Sequence, residues 1–290
     1  MKAQINWRHV SDTLLIPLYC RAKETLSEDP IIRDQKAVEM LEDIKASLAG
    51  SKNRIHRRIL HNRYNNMLVV SLALRTRRFD RYVDDFISRH PQATIVNLGC
   101  GLDSRFHRQD NGTLAWFDLD LPEVIRIKQH YFHETDRYHF LPFSATDLGW
   151  VGKVAESEPS HLMVLAEGLF MYLEEKKVKE LILSLRDRFP GCELVFENTG
   201  KFWVKRMKSG YFKWKFSRQL GYSEEAIFTF GFSDHREVES LGEGIRFLDE
   251  WSYFDDKHKK MGWMNLMGKC SWLRHVQWVL HFRLGGQPSP

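Results

Sequence analysis

The chain has 290 residues, 43% of them hydrophobic and 28% charged, with a formal net charge of +5. That is enough to bury a full core, and the composition excludes a disordered, collagen-like or membrane-spanning chain. Met1 to His9 lacks the apolar core of a secretory signal. Cys20, Cys100, Cys192 and Cys270 lie far apart with no Cys-x-x-Cys, which excludes a disulfide framework or zinc ribbon and fits a cytoplasmic protein.

The charge is segregated. Residues 52–81 hold nine Lys/Arg against one acid, Asp80, and residues 201–218 hold seven Lys/Arg and no acid. The rest of the chain is therefore acidic, and the mean charge describes neither part.

In chain order, residues 11–90 read as helical. Ala37, Met40, Leu41, Ile44 and Leu48 recur at helical spacing behind a capping Asp34. A second long pattern covers 55–87 and must stop before Pro91. From Thr94 strands and helices alternate, with strands at 94–98, 114–120, 139–143, 162–167 and 192–198 and helices at 122–133 and 174–189. This alternation predicts a parallel, doubly wound sheet. Residues 200–240 break the rhythm with a basic, aromatic and helical stretch. A sixth strand is expected at 245–254. Val276, Trp278, Leu280, Phe282 and Leu284 alternate with polar residues as a seventh, antiparallel to its neighbour. Residues 285–290 read as a loose tail. No linker divides the chain, so it is expected to be one domain: a helical cap at 1–90, a core at 91–199, an acceptor lid at 200–240 and C-terminal strands at 241–290.

The first strand runs into Gly99-Cys100-Gly101, and the second ends on Asp118-Leu119-Asp120 some twenty residues later. Glycines let a ligand approach the backbone, and a strand-tip carboxylate accepts bonds from ribose hydroxyls, so a nucleoside-containing cofactor is expected. A dinucleotide fingerprint would place a third glycine where Ser104 stands. An S-adenosylmethionine site asks for less: the turn, one acid for the ribose, and polar groups along later strand ends. Only one of Asp118 and Asp120 can hold the ribose, and Asp120 is the candidate.

The run Asn97-Leu98-Gly99-Cys100-Gly101-Leu102-Asp103-Ser104-Arg105-Phe106-His107-Arg108, followed by Phe117 to Ile125 with Lys128, resembles the leucine carboxyl methyltransferase family, which includes tetracenomycin-type polyketide O-methyltransferases. Three further segments agree: Pro17 to Ala22, Arg75 to Asp80, and Leu165 to Leu173. The resemblance covers roughly residues 10–200. It implies a Rossmann-like class I methyltransferase, with a seven-stranded, mostly parallel sheet, a late antiparallel strand, an N-terminal helical extension and a helical insertion after the fifth strand. It also implies S-adenosylmethionine as methyl donor and S-adenosylhomocysteine as product. Gly99 and Gly101 would then lie beneath the methionine moiety and Asp120 would bond the ribose. Glu167 would face the amino acid part or the sulfonium. Arg75 would pair with the methionine carboxylate, helped by Arg21 or Lys23. Ser144 or Ala145 would contact adenine, and Asp147 would cap the next helix. Read without the resemblance, Arg75 also suits a solvated basic helix face.

Methyl transfer from a sulfonium needs positioning and exclusion of water more than acid–base help. His107, His130, His133 and His139 read as surface or helix-face residues, which leaves no evident base and favours a carboxylate acceptor, already ionised at neutral pH. Residues 201–218 have a lid's composition, with Phe202, Trp203, Tyr211, Phe212, Trp214 and Phe216 among seven cations. The expected partner is a small anionic or aromatic acceptor, with Glu197 and Asn198 near either ligand. The same segment also reads as an amphipathic helix that buries its aromatics. Basic and aromatic interleaving keeps a nucleic-acid methyltransferase as the rival enzyme, and a non-catalytic binder of the cofactor fold as the rival class.

Overall fold

The computed structural model describes residues 14–207 and 228–286. Helices α1 (Leu15–Thr25), α2 (Gln35–Ser47), α3 (Arg54–Leu60) and α4 (Asn66–Arg89) precede the sheet. Asp34 caps α2 as expected, accepting from the Ala37 amide. The pattern expected over 55–87 is split in two. Asn62 adopts a positive φ of 51°, and Asn65 starts α4 by accepting from the Met67 amide. Asparagine tolerates the left-handed region and caps helices, so this polar stretch breaks the pattern.

Strands β1 (Thr94–Leu98), β2 (Ala115–Asp120), β3 (Tyr138–Pro142), β4 (Leu162–Ala166), β5 (Cys192–Thr199), β6 (Ile245–Ser252) and β7 (Gln277–Leu284) form one sheet in the order β3-β2-β1-β4-β5-β7-β6. The pairs from β3 through to β5 are parallel, and β7 runs antiparallel to both β5 and β6. This is the expected class I methyltransferase sheet, with its antiparallel strand seventh in sequence.

Between the strands lie α5 (Arg105–Gln109), α6 (Pro122–Lys128), α7 (Gly149–Ala155) and α8 (Glu175–Arg188). The helix expected at 122–133 thus ends at Lys128. Both faces of the sheet are covered, so its central strands read as continuous apolar runs. Successive side chains serve opposite cores. Ile95, Met163, Leu165 and Val195 pack with α1 to α4, whereas Val96, Val164, Leu194 and Phe196 pack with α7 and α8.

After β5, α9 (Lys201–Met207) starts the insertion. Residues 208–227 of the expected lid, with Tyr211, Phe212, Trp214 and Phe216, lie outside the described residues, as does 287–290 of the expected loose tail. α10 (His235–Glu239) leads into β6, and α11 (Ser271–Arg274) precedes β7. β6 ends at Ser252, two residues before the expected end. It runs parallel to β5 through their shared antiparallel neighbour, so the 253–276 connection leaves from the edge where β1, β2, β4 and β5 end. Among the described residues, no helix is long and apolar enough to cross a membrane.

Candidate functional site

The strand order reverses between β1 and β4, and α/β sheets bind ligands at the carboxyl ends flanking such a reversal. The glycine turn leaves β1 there and Glu167 leaves β4. Gly99 and Gly101 have φ of 62° and 51°, a region that side chains with a Cβ rarely adopt. They are also crowded. A Cβ on Gly99 would lie 2.9 Å from Leu169 Cδ1, and one on Gly101 would lie 2.7 Å from Leu14 Cδ1. Leu14 and α1 therefore cover the turn from the N-terminal side.

Asp120 is tied to this turn. Its Oδ2 accepts from the Gly101 amide and its Oδ1 from the Leu121 amide, each at 2.8 Å. Burial raises its carboxyl pKa above the ordinary range, although both amides pull the other way. Asp118 belongs to the core. It pairs with the buried Lys128 at 2.7 Å and accepts from Tyr138 Oη, Trp116 Nε1 and Asn97 Nδ2. Residues two apart on a strand share a face, so depth separates the two aspartates. Lys128 also donates to the Asp103 carbonyl at 2.7 Å, holding the turn from behind.

Arg75 lies on α4, inside the fold rather than on a solvated face. Its Nε donates to Glu167 Oε1 and its Nη1 to Glu197 Oε2, both at 2.8 Å. Glu167 Oε2 accepts from Arg105 Nη2 at 2.5 Å. Burial acts to raise the Glu167 pKa, but Arg75 and Arg105 overcome it and hold the carboxyl below its ordinary value. At Glu197 burial prevails over Arg75 and Tyr253, and its pKa is raised.

Arg21 is spent on Asp34 at 2.9 Å and on the Leu102 carbonyl at 2.7 Å, so it braces the glycine turn. Lys23 is exposed. At the tip of β3, Ser144 Oγ lies 3.0 Å from Thr146 Oγ1, and the buried Ala145 accepts from Trp150 Nε1 at 3.2 Å. Asp147 accepts from the Gly149 amide at 3.1 Å, at the first residue of α7. Asn198 exchanges two bonds with the Phe232 backbone, which uses its amide to pin the chain returning to the sheet.

Several residues were not legible as site components. Asp103 lies against Arg105 at 2.7 Å and Arg108 at 3.4 Å. Burial would raise its pKa, but the two guanidiniums hold it well below the carboxylate range. Asp80 pairs with Arg105 and Arg108 at 2.7 and 3.0 Å, and Ser104 Oγ donates to Asp34 at 2.6 Å. The alternation of acids and arginines in Asp103-Ser104-Arg105 and Arg108 was the available signal. Tyr253 carried none: it leaves β6 and donates its hydroxyl to Glu197.

The basic run at 52–81 does not form one cationic stripe. Arg75 is paired as described, Arg77 and Arg81 meet Asp256, and Arg78 meets Asp249. In the 253–276 connection Lys260 reaches Glu24 of α1, and Trp272 stacks on Trp203 of α9 with ring centroids 5.0 Å apart. Trp263 and Leu266 of the same connection stand exposed.

Comparison with known proteins identifies relatives of the chain. The chain is 30% identical over 247 residues to the tetracenomycin polyketide synthesis O-methyltransferase TcmP of Streptomyces glaucescens, covering 85% of this chain and 84% of that protein. It is 26% identical over 303 residues to the S-adenosyl-L-methionine-dependent methyltransferase dpfgK of Gibberella zeae, covering 99% and 95%. The family model described as leucine carboxyl methyltransferase matches residues 15–185, from α1 through the β1 turn, the β2 tip and Glu167 into α8. The chain belongs to the leucine carboxyl methyltransferase family of S-adenosylmethionine-dependent methyltransferases.

Proposed function

We propose that the protein methylates an oxygen, a carboxylate or a hydroxyl, on a small anionic or aromatic acceptor or a peptide C-terminus. The observation that carries this reading is the likeness, over 85% of the chain, to an O-methyltransferase of polyketide synthesis. S-adenosylmethionine supplies an electrophilic methyl group: an oxygen lone pair forms the new C–O bond while the C–S pair returns to sulfur.

The residues at the strand ends fit that ligand. Gly99 and Gly101 leave backbone open to close approach, and Asp120 keeps lone pairs for two hydroxyls beyond the amides it accepts from. Glu167 offers a carboxylate that stays ionised beside a cationic ligand. Arg75 faces a ligand carboxylate with a guanidinium already bracketed by Glu167 and Glu197. Arg21 braces the turn, and Ser144 or Ala145 meets the adenine end.

Water exclusion falls to the 253–276 connection and the insertion after β5, within a single unit of cap (1–90), core (91–199), lid (200–240) and C-terminal strands (241–290). His107 is stacked on Phe132, His139 packs on Phe117, and His130 packs on Tyr131. An acceptor that ionises unaided suits such a site, so carboxylates rank ahead of alcohols.

The deciding experiment offers methyl-labelled S-adenosylmethionine with a panel of carboxylates, phenols, amines and a generic RNA. Label released by mild base marks a methyl ester and supports carboxyl methylation. Label confined to amines or RNA would overturn the reading.

A further inference from the structure

The buried ion pairs beside the glycine turn do not balance. In one continuous run of contacts, Arg21, Asp34, Arg108, Asp80, Arg105, Glu167, Arg75 and Glu197 follow one another, with Asp103 between Arg105 and Arg108. Among the described residues this run joins four arginines to five carboxylates. Asp34, Asp80, Asp103 and Glu167 each lie between two guanidiniums. Glu197 meets one, Arg75, and its second bond comes from the neutral hydroxyl of Tyr253.

Glu197 is therefore the least compensated carboxylate of the run, with one guanidinium that it shares with Glu167. Its side chain is 0% exposed, so water does not screen it. The groups facing it are Arg75 from α4, Tyr253 from the connection after β6, and the like charge of Glu167 at the tip of β4. Across the sheet its partner on β7 is Val279, which adds no charge.

The two forms of the expected ligand differ by one charge. S-adenosylmethionine carries an ammonium, a carboxylate and a sulfonium. S-adenosylhomocysteine carries only the first two and is neutral overall. We propose that Glu197 is the residue by which this site distinguishes them, holding the extra negative charge that the sulfonium balances. The proposal rests on the reading that this site binds S-adenosylmethionine. Direct contact is not required, because charges act over longer distances in a buried, weakly screened site.

Burial pushes the Glu197 carboxyl upward, so the ligand-free protein tends to protonate there, and a cationic ligand favours loss of that proton. The sign follows: affinity for S-adenosylmethionine rises with pH until Glu197 is ionised in the free protein, whereas affinity for S-adenosylhomocysteine changes little. Discharging the sulfonium then weakens the hold on the product.

The test is titration calorimetry with both ligands from pH 5 to 8, on the full chain and on Glu197→Gln. The substitution is expected to weaken S-adenosylmethionine about tenfold, the equivalent of one pKa unit, and S-adenosylhomocysteine less than about twofold. Equal losses for both ligands, or no loss for either, would overturn the proposal. Should Glu197→Gln fail to fold, the wild-type pH profiles decide: diverging profiles support the proposal and parallel ones overturn it. Tyr253→Phe removes a bond to the ionised carboxyl and should move only the S-adenosylmethionine profile to higher pH. Failure of wild type to bind either ligand is a separate result, which removes the cofactor assignment itself.

Discussion

The Gly101 amide donates to Asp120 Oδ2 at 2.8 Å, joining the turn after β1 to the tip of β2. The carboxylate thus orders the glycine turn, and in the proposed site it would also bond the ribose. Asp120→Ala removes both roles. Loss of a hydrogen bond to a charged group costs about 1.5–3 kcal/mol, so affinity for S-adenosylmethionine should fall roughly 10- to 100-fold. Asp120→Asn, which keeps one acceptor, should lose less. Calorimetry that found wild-type affinity in Asp120→Ala would assign the ribose to another residue.

Gly99 and Gly112 both have positive φ, but only Gly99 is crowded, by Leu169; nothing lies within 4 Å of a Cβ on Gly112. A left-handed conformation costs a residue with a Cβ about 1–2 kcal/mol. Gly112→Ala should show that backbone cost alone, a few degrees of Tm. Gly99→Ala should lose more, because Leu169 must move, and should also weaken cofactor binding. Scanning calorimetry giving equal Tm values would mean that the contact with Leu169 is slack.

Glu167 is shared by Arg75 and Arg105. Replacing it with alanine leaves two buried guanidinium edges without their anion, and breaking a buried pair this way costs about 3–5 kcal/mol. Urea unfolding should place Glu167→Ala in that range below wild type, with Glu167→Gln between them. A loss under about 1 kcal/mol would show that water reaches the pair and screens it.

At the opposite end of β5, Glu193 meets Arg89, His281 and Arg283. Burial opposes its ionisation, but the bonds from His281 and Arg89 prevail and lower its pKa from 4.5 to about 2. A depressed carboxyl stabilises fully above its unfolded value and loses that contribution as pH falls towards the folded one. The Tm gap between wild type and Glu193→Gln should therefore shrink as pH falls from about 4.5 to 2. A gap that persists at pH 2 would mean the glutamine also disturbs packing.

Much of the site was legible because local rules produce it. A buried apolar strand, a turn that needs positive φ and a strand-tip acid are each written in a few adjacent residues. Helix boundaries were less legible: the break around Asn62 and Asn65 interrupts a pattern that apolar spacing alone would continue. The partners of Arg75 were not legible at all, since Glu167 and Glu197 lie 92 and 122 residues away. For Tyr253, the expected strand simply ran on through it, whereas the chain turns out of the sheet and sends the hydroxyl to Glu197.

By itself, the sequence determined the sheet, the glycine turn, the place of Asp120 at the tip of β2 and the resemblance that named the methyl donor. Each depends on neighbours along the chain, where propensity and periodicity act. Tertiary structure alone decided which guanidinium meets which carboxylate, and so which carboxylate is left with a single, shared guanidinium. Ion pairing inside a core depends on distance and lost hydration between groups far apart in sequence, and no local pattern encodes that balance.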